Sequence, residues 1–193
     1  MEVNVKQIHG GWDLGYSLDK HTISSTPIGP NPWGHMQFDT IRPEVGEALF
    51  QLKYRSDFTQ VKVIALKMFN SLSKYFLSAN LIIPMPASRQ RQRQPVTEIA
   101  QELSQLMNIP CYEGLLVKKN NTLPMKDIPN IDEKVQTLMD AFDINDELND
   151  GLYDVLIVDD LYDTGSSLEA ATKVLRQYGK FRNIYVATVT RKR

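Results

Sequence analysis

Residues 154–171 read DVLIVDDLYDTGSSLEAA: four apolar residues, two adjacent carboxylates, then a turn of Thr164, Gly165, Ser166 and Ser167. The run of Val155, Leu156, Ile157 and Val158 predicts a strand buried on both faces. The next segment, SSLEAATKVLRQYG, has helical spacing and closes on Gly179 as a left-handed cap. Asp159 and Asp160 therefore stand at the carboxyl end of a buried strand, and residues 164–167 stand where a helix begins. Free backbone N–H groups and the helix dipole favour an anion there, by up to about 2 kcal/mol. Gly165 lets backbone approach a ligand, and the three hydroxyls can donate to phosphate oxygens. The two carboxylates would repel a phosphate. They suit sugar hydroxyls instead, directly or through Mg²⁺. A ribose carrying a 5′-phosphate satisfies both halves.

Working outward, apolar strands alternate with helical patterns. Val61, Ala65, Met68, Leu72 and Tyr75 mark one helix face, and NLIIPMP is a short strand stopped by Pro84 and Pro86. Pro95 opens another helix, with Val96, Ile99, Ala100, Leu103 and Leu106 on its stripe. GLLVKK is a strand, DEKVQTLMDAFDI reads as helix or as helix then strand, and NIYVATVTRKR is the final strand. The expected class is α/β, with a mostly parallel central sheet flanked by helices. Nearer the start, Trp12, Leu14, Tyr16 and Leu18 alternate as a half-buried strand. STPIGPNPWGH, with three prolines and two glycines, is expected to be loop.

Composition narrows the function. The chain has 193 residues and a net charge of −1, which argues against a broad nucleic-acid surface. Its one cysteine, Cys111, excludes an internal disulfide and a cysteine-based zinc site. The histidines at 9, 21 and 35 match no familiar metal spacing. No apolar run reaches the ~18 residues of a membrane helix, and the first residues lack a signal-peptide core. A cytoplasmic location is expected.

The pattern VLIVDDLYDTGSS resembles the phosphoribosyl pyrophosphate (PRPP) motif of type I phosphoribosyltransferases. The resemblance implies that fold, a Rossmann-like α/β core with a hood. It implies that Asp159 and Asp160 hold the ribose hydroxyls and Mg²⁺, that 164–167 hold the 5′-phosphate, and that Asp163 lies near the base as a proton acceptor. FQLKYRSDF and LIIPMPASRQRQRQPVTEIAQEL are similar to the competence-protein-F (ComF) branch, as is NTLPMKDIPNIDEKVQTLMDAF. The likeness covers about residues 46–193. The cysteine-rich zinc segment of many relatives is absent. The usual Arg-Gly-Phe-Asn-Gln stands here as Arg93-Gln94-Pro95-Val96-Thr97, and the relatives' Gln after Pro is Met125.

By the same resemblance Ala87, Ser88 and Arg89 form the pyrophosphate loop, with Arg91 and Arg93 extending a basic cluster. Lys118, Lys119 or Lys126 reach the pyrophosphate from a polar segment over 118–130, and Lys53 and Arg55 are further cations. The division expected is an N-terminal, β-rich covering segment, 1–42, and a phosphoribosyltransferase core, 43–193. The chain stops after its last strand, so a hood must come from 1–42, where Trp12, Tyr16, Trp33, His35 and Phe38 are candidates to stack a base. The implied reaction is substitution at ribose C1′, to or from an unidentified nucleobase-like acceptor, with pyrophosphate leaving. The alternative is a non-catalytic PRPP or nucleotide sensor, or a protein serving DNA uptake. A nucleic-acid role through Arg89, Arg91, Arg93 and the terminal RKR is a further rival. Homodimers are common among such relatives, yet no stripe in the sequence declares an interface.

Overall fold

Val155, Leu156, Ile157 and Val158 are fully buried because their strand lies inside a sheet that is covered on both sides. The computed structural model describes residues 2–87, 91–119 and 130–192. Its strands are β1 (Lys6–Gln7), β2 (Leu14–Lys20), β3 (Ser24–Pro30), β4 (Met36–Ile41), β5 (Leu81–Pro84), β6 (Leu116–Lys118), β7 (Phe142–Ile144), β8 (Tyr153–Tyr162) and β9 (Phe181–Arg191). The helices are α1 (Glu44–Arg55), α2 (Gln60–Leu72), α3 (Pro95–Met107), α4 (Ile131–Ala141) and α5 (Ser166–Tyr178). The central sheet runs β1-β2-β9-β8-β5, and only β1 is antiparallel to its neighbour. The expected α/β class with helices on both faces is what forms.

The alternation of β8 builds two cores. Val155 and Ile157 pack with Leu168, Ala171 and Leu175 of α5 and with Val135 and Leu138 of α4. Leu156 and Val158 face the other way, toward Leu49, Ile64, Met68 and Ile99 of α1, α2 and α3. Each of the Val, Leu, Ile and Met side chains contributes roughly 1.5–3 kcal/mol on burial. Pro95 is the first residue of α3, and Gly179 caps α5 at φ 77°. The segment 132–144 resolves into helix then strand, and β7 pairs antiparallel with β6 in a separate two-stranded sheet.

Residues 24–41 depart from expectation. They form an antiparallel hairpin of β3 and β4, with a register shift between Pro27 and Gly29. Prolines are tolerated because a two-stranded ribbon has only edge strands, where a missing N–H can face outward. β2 also differs from the half-buried reading. It is an inner strand between β1 and β9, and Ser17, Leu18 and Asp19 are all buried. Of residues 1–42, then, 6–20 belong to the central sheet and 24–41 project from it.

Candidate functional site

The carboxyl ends of β5, β8, β9 and β2 lie along one edge of the sheet, where loops leave for the helices and ligands enter α/β proteins. A cavity of about 600 Å³ opens at this edge, lined among others by Asp159, Asp160, Lys53, Tyr54, Arg91 and Ala87. A smaller one of about 70 Å³ adjoins it, with Asp163, Thr164, Gly165 and Ser166 in its wall. Asp159, Leu161 and Ser167 line both, so the acidic pair and the hydroxyl turn share one continuous site.

The turn is built for close approach. Gly165 has φ 80°, a left-handed conformation open to glycine. A Cβ placed there would come 2.9 Å from Cε2 of Tyr162, whose hydroxyl donates to the His9 carbonyl at 3.3 Å. The Thr164 and Ser166 hydroxyls lie 2.9 Å apart, and Glu169 N–H donates to Gly165 O at 2.8 Å, beginning α5. The preceding N–H groups have no acceptor within the helix.

Asp159 and Asp160 are held differently. Asp160 pairs with Lys53 Nζ at 2.5 Å. Asp159 Oδ1 accepts only the Asp160 backbone N–H, at 2.8 Å, among the described hydrogen bonds. Burial, and then the Asp160 charge, push the Asp159 carboxyl above the usual carboxylate range. A proton or an arriving cation relieves that repulsion. Lys53 is anchored in turn, since Arg91 Nη1 donates to its carbonyl at 2.9 Å. The Arg-rich turn is thereby tied to the cation on Asp160.

Several expected residues stand elsewhere. Ser88 and Arg89 lie outside the described residues, as do Met125 and Lys126; Ala87 lines the larger cavity. Lys118 is in β6, opposite Phe142 of β7, away from the cavity-lining set. Arg93 is engaged by both carboxylate oxygens of Glu98, at 2.7 and 2.6 Å, and lies over the Phe58 ring. Arg55 faces the Phe50 ring. Asp163 lines the smaller cavity but is paired with Lys192 at 2.5 Å. Arg191 is buried and donates to Asn4 O at 2.7 Å. With Lys192 paired as well, the RKR run offers no open basic patch among its described residues.

The aromatic candidates stand apart from the residues that line the two cavities. Trp12 is buried, its Nε1 donating to Ile8 O at 3.1 Å, because its indole lies over Gly15 where any Cβ would collide. Tyr16 stacks on Tyr75 at 3.9 Å in the core under α2. Trp33, His35 and Phe38 are exposed on the hairpin. The aromatic ring that does line the cavity is Tyr54, 63% exposed, which sequence reading passed over although it adjoins Lys53.

His21 was also missed. Its Nδ1 lies 3.0 Å from Thr190 Oγ1, and that hydroxyl donates to the Asp160 carbonyl at 3.0 Å. Burial, then Lys53, Arg42 and Lys192, hold the imidazole below its ordinary pKa. His21 thus adds a neutral ring beside the acidic pair. No signal in a lone His after a strand distinguishes it.

No family model matches the chain. In sequence it is 24% identical over 148 residues to Competence protein ComFC of Bacillus subtilis, spanning 75% of this chain and 59% of that protein. The similarity agrees with the ComF resemblance read from the motifs. Similar solved structures include adenine phosphoribosyltransferase from Leishmania tarentolae (9% identity, 98% of this chain and 95% of that one, TM-score 0.47). Another is a purine phosphoribosyltransferase from Pyrococcus horikoshii (19% identity, 69% and 84%, TM-score 0.45). A third is orotate phosphoribosyltransferase from Aeropyrum pernix (14% identity, 83% and 70%, TM-score 0.42).

Proposed function

We propose that this chain, similar in sequence to a competence protein of the ComF type, binds a 5′-phosphorylated ribose, with PRPP as the ligand that uses the whole site. The observation that carries the reading is the continuity of the Asp159–Asp160 pair with the Gly165 turn in one cleft. The small cavity takes the 5′-phosphate on the N-terminus of α5 and the hydroxyls of Thr164, Ser166 and Ser167. Asp159 and Asp160 accept from the ribose hydroxyls. Lys53 and Arg91, both on the wall of the larger cavity, meet the pyrophosphate.

Mg²⁺ suits this donor set. Among the described residues no group of three or more His, Cys, Asp or Glu forms a metal cluster. Two adjacent carboxylates, one of them poorly satisfied, fit an ion that brings its remaining oxygens from the ligand. Bound there, Mg²⁺ would supply charge neutralisation for a leaving pyrophosphate. The chain's own residues then position C1′ and exclude water by the close approach of Gly165 and the packed strand ends. Tyr54 offers the flat face for an acceptor ring.

One observation favours a second reading, binding without transfer. Asp163, the residue placed to accept a proton, is engaged by Lys192. A general base must be within reach of the proton it takes and free to take it. Titration calorimetry of PRPP with Mg²⁺ into wild type and the Asp159→Asn/Asp160→Asn double variant tests the shared reading. Binding lost in the variant supports it, and no binding by wild type overturns it. Pyrophosphate release with a panel of bases then separates transfer from sensing.

A further inference from the structure

The β3–β4 ribbon carries a surface that nothing among the described residues covers. Ile23, Trp33, Met36 and Phe38 are 63%, 80%, 53% and 55% exposed. None of the residues from 23 to 41 packs into either hydrophobic core. The register sorts the ribbon into two faces. Pro27 stands opposite Phe38 and Pro30 opposite Met36, and Ile23 lies on this side too, two and four positions before Ser25 and Pro27. The other face carries Ser24, Thr26, Gln37 and Asp39, with Ile41 at its end, while Ser25 and Thr40 pair through their hydroxyls on the apolar side. An isolated two-stranded hairpin is marginal in water, and one with an apolar face more so.

We infer that the apolar face of this ribbon is the contact between two copies of the chain, packed ribbon on ribbon across a two-fold axis. Charge is the first argument. Residues 22–41 hold one charged side chain, Asp39, and it lies on the polar face. A neutral apolar face is complementary to itself, which an isologous contact requires. A charged partner would find nothing to pair with. The ribbon also lacks the Lys and Arg that accompany membrane-surface elements.

Area is the second argument. Ile23, Pro27, Pro30, Met36 and Phe38, with Trp33 at the tip of the ribbon, are all exposed and together present on the order of several hundred Å². A standard interface buries about 800 Å² per partner, and its core is rich in aromatic residues and Met and poor in charge. Two such faces would stack about 10 Å apart as packed sheets do. The partner ribbon would at the same time cover exposed apolar surface that otherwise invites aggregation.

Sedimentation equilibrium on the full chain tests this, with Phe38→Asp on the apolar face and Gln37→Asp on the polar one. Wild type is expected to be dimeric. Phe38→Asp should raise the dimer dissociation constant about 100-fold or more, while Gln37→Asp leaves it nearly unchanged. Phe38 belongs to neither core, so far-UV circular dichroism and the melting curve should stay those of a folded chain. Amide exchange of the wild type gives a reading that needs no variant: protection over 23–41 should rise with protein concentration. A monomeric wild type overturns the inference, as does a dimer that Phe38→Asp leaves intact. Ribbon protection conferred by phosphatidylcholine vesicles, but not by protein concentration, overturns it in favour of a lipid surface.

Discussion

β8 carries a carboxylate near each end, and the two are treated in opposite ways. At the amino end Asp154, 1% exposed, accepts from Arg182 Nε and Nη2 at 2.9 Å each and from Asn183 Nδ2 at 2.9 Å. Its backbone N–H donates to the Asn80 side chain. Arg182 foremost holds this carboxyl below the usual range. Five residues on, Asp159 has one backbone donor, a like charge beside it, and a carboxyl pushed above the usual range. One strand thus ends in a satisfied clamp and in an unsatisfied site. The clamp fixes β8 against β9, and the other end retains free energy that a bound cation or sugar recovers.

The sharpest way to break this contrast is to neutralise each end in turn. Asp159→Asn with Asp160→Asn should weaken PRPP·Mg²⁺ binding by about 100-fold or more, read by calorimetry, while the protein stays folded. Asp154→Ala should do the reverse. Ligand affinity is retained once folded, and stability falls by about 2 kcal/mol, or roughly 4–8 °C in melting temperature. Gly165→Ala puts a Cβ against Tyr162 in a left-handed turn. We expect a loss of about 1–2 kcal/mol and a larger loss of affinity for inorganic phosphate, measured by titration.

The smallest expected effect concerns pH. Asp159 is raised in the folded state, so the folded chain holds its proton more tightly than the unfolded chain. Stability then falls as pH rises from the ordinary carboxylate range through the raised value. Asp154 is lowered, so its contribution is present above the ordinary carboxylate range and lost as pH falls through the depressed value. Asp159→Asn should therefore be about 1 kcal/mol more stable than wild type at high pH, with the gap closing toward about pH 4. Denaturant melts across pH check the sign. A gap that widened on acidification would refute the assignment.

The same contrast explains how much was legible in the sequence. Buried strands announce themselves through runs such as 155–158, and helices through caps such as Pro95 and Gly179, because local chemistry determines both. The acidic pair and the Gly165 turn were legible for the same reason, since one short segment holds the whole constellation. Lys53, Tyr54 and His21 were not singled out as one site, because it is the alignment of strand ends that brings α1 and the end of β2 beside β8. Trp12 was ambiguous in the sequence because an aromatic ring is equally suited to a ligand and to a core. The missing side chains at Gly10 and Gly15, over which its indole lies, show which role it takes. The prolines of 27–32 concealed a hairpin because edge strands tolerate what inner strands reject.

Cys111 fits the same division. Burial, then the Glu113 charge, push its thiol up to about 12, so it stays protonated and unreactive at neutral pH.

The pairing of β2 with β9 has a consequence for synthesis. Leu14 lies beside Tyr185 and Lys20 beside Arg191, so the inner part of the sheet joins residues about 170 positions apart. At ~5–20 residues per second, a ribosome takes on the order of ten to thirty seconds to deliver the second strand after the first. Throughout that interval α1 and α2 can already cover the apolar side chains of β2, but the edge that β9 will take has no strand beside it, and its backbone N–H and C=O groups are open to other nascent chains. The amino-terminal strand is therefore one that a chaperone would have most reason to hold.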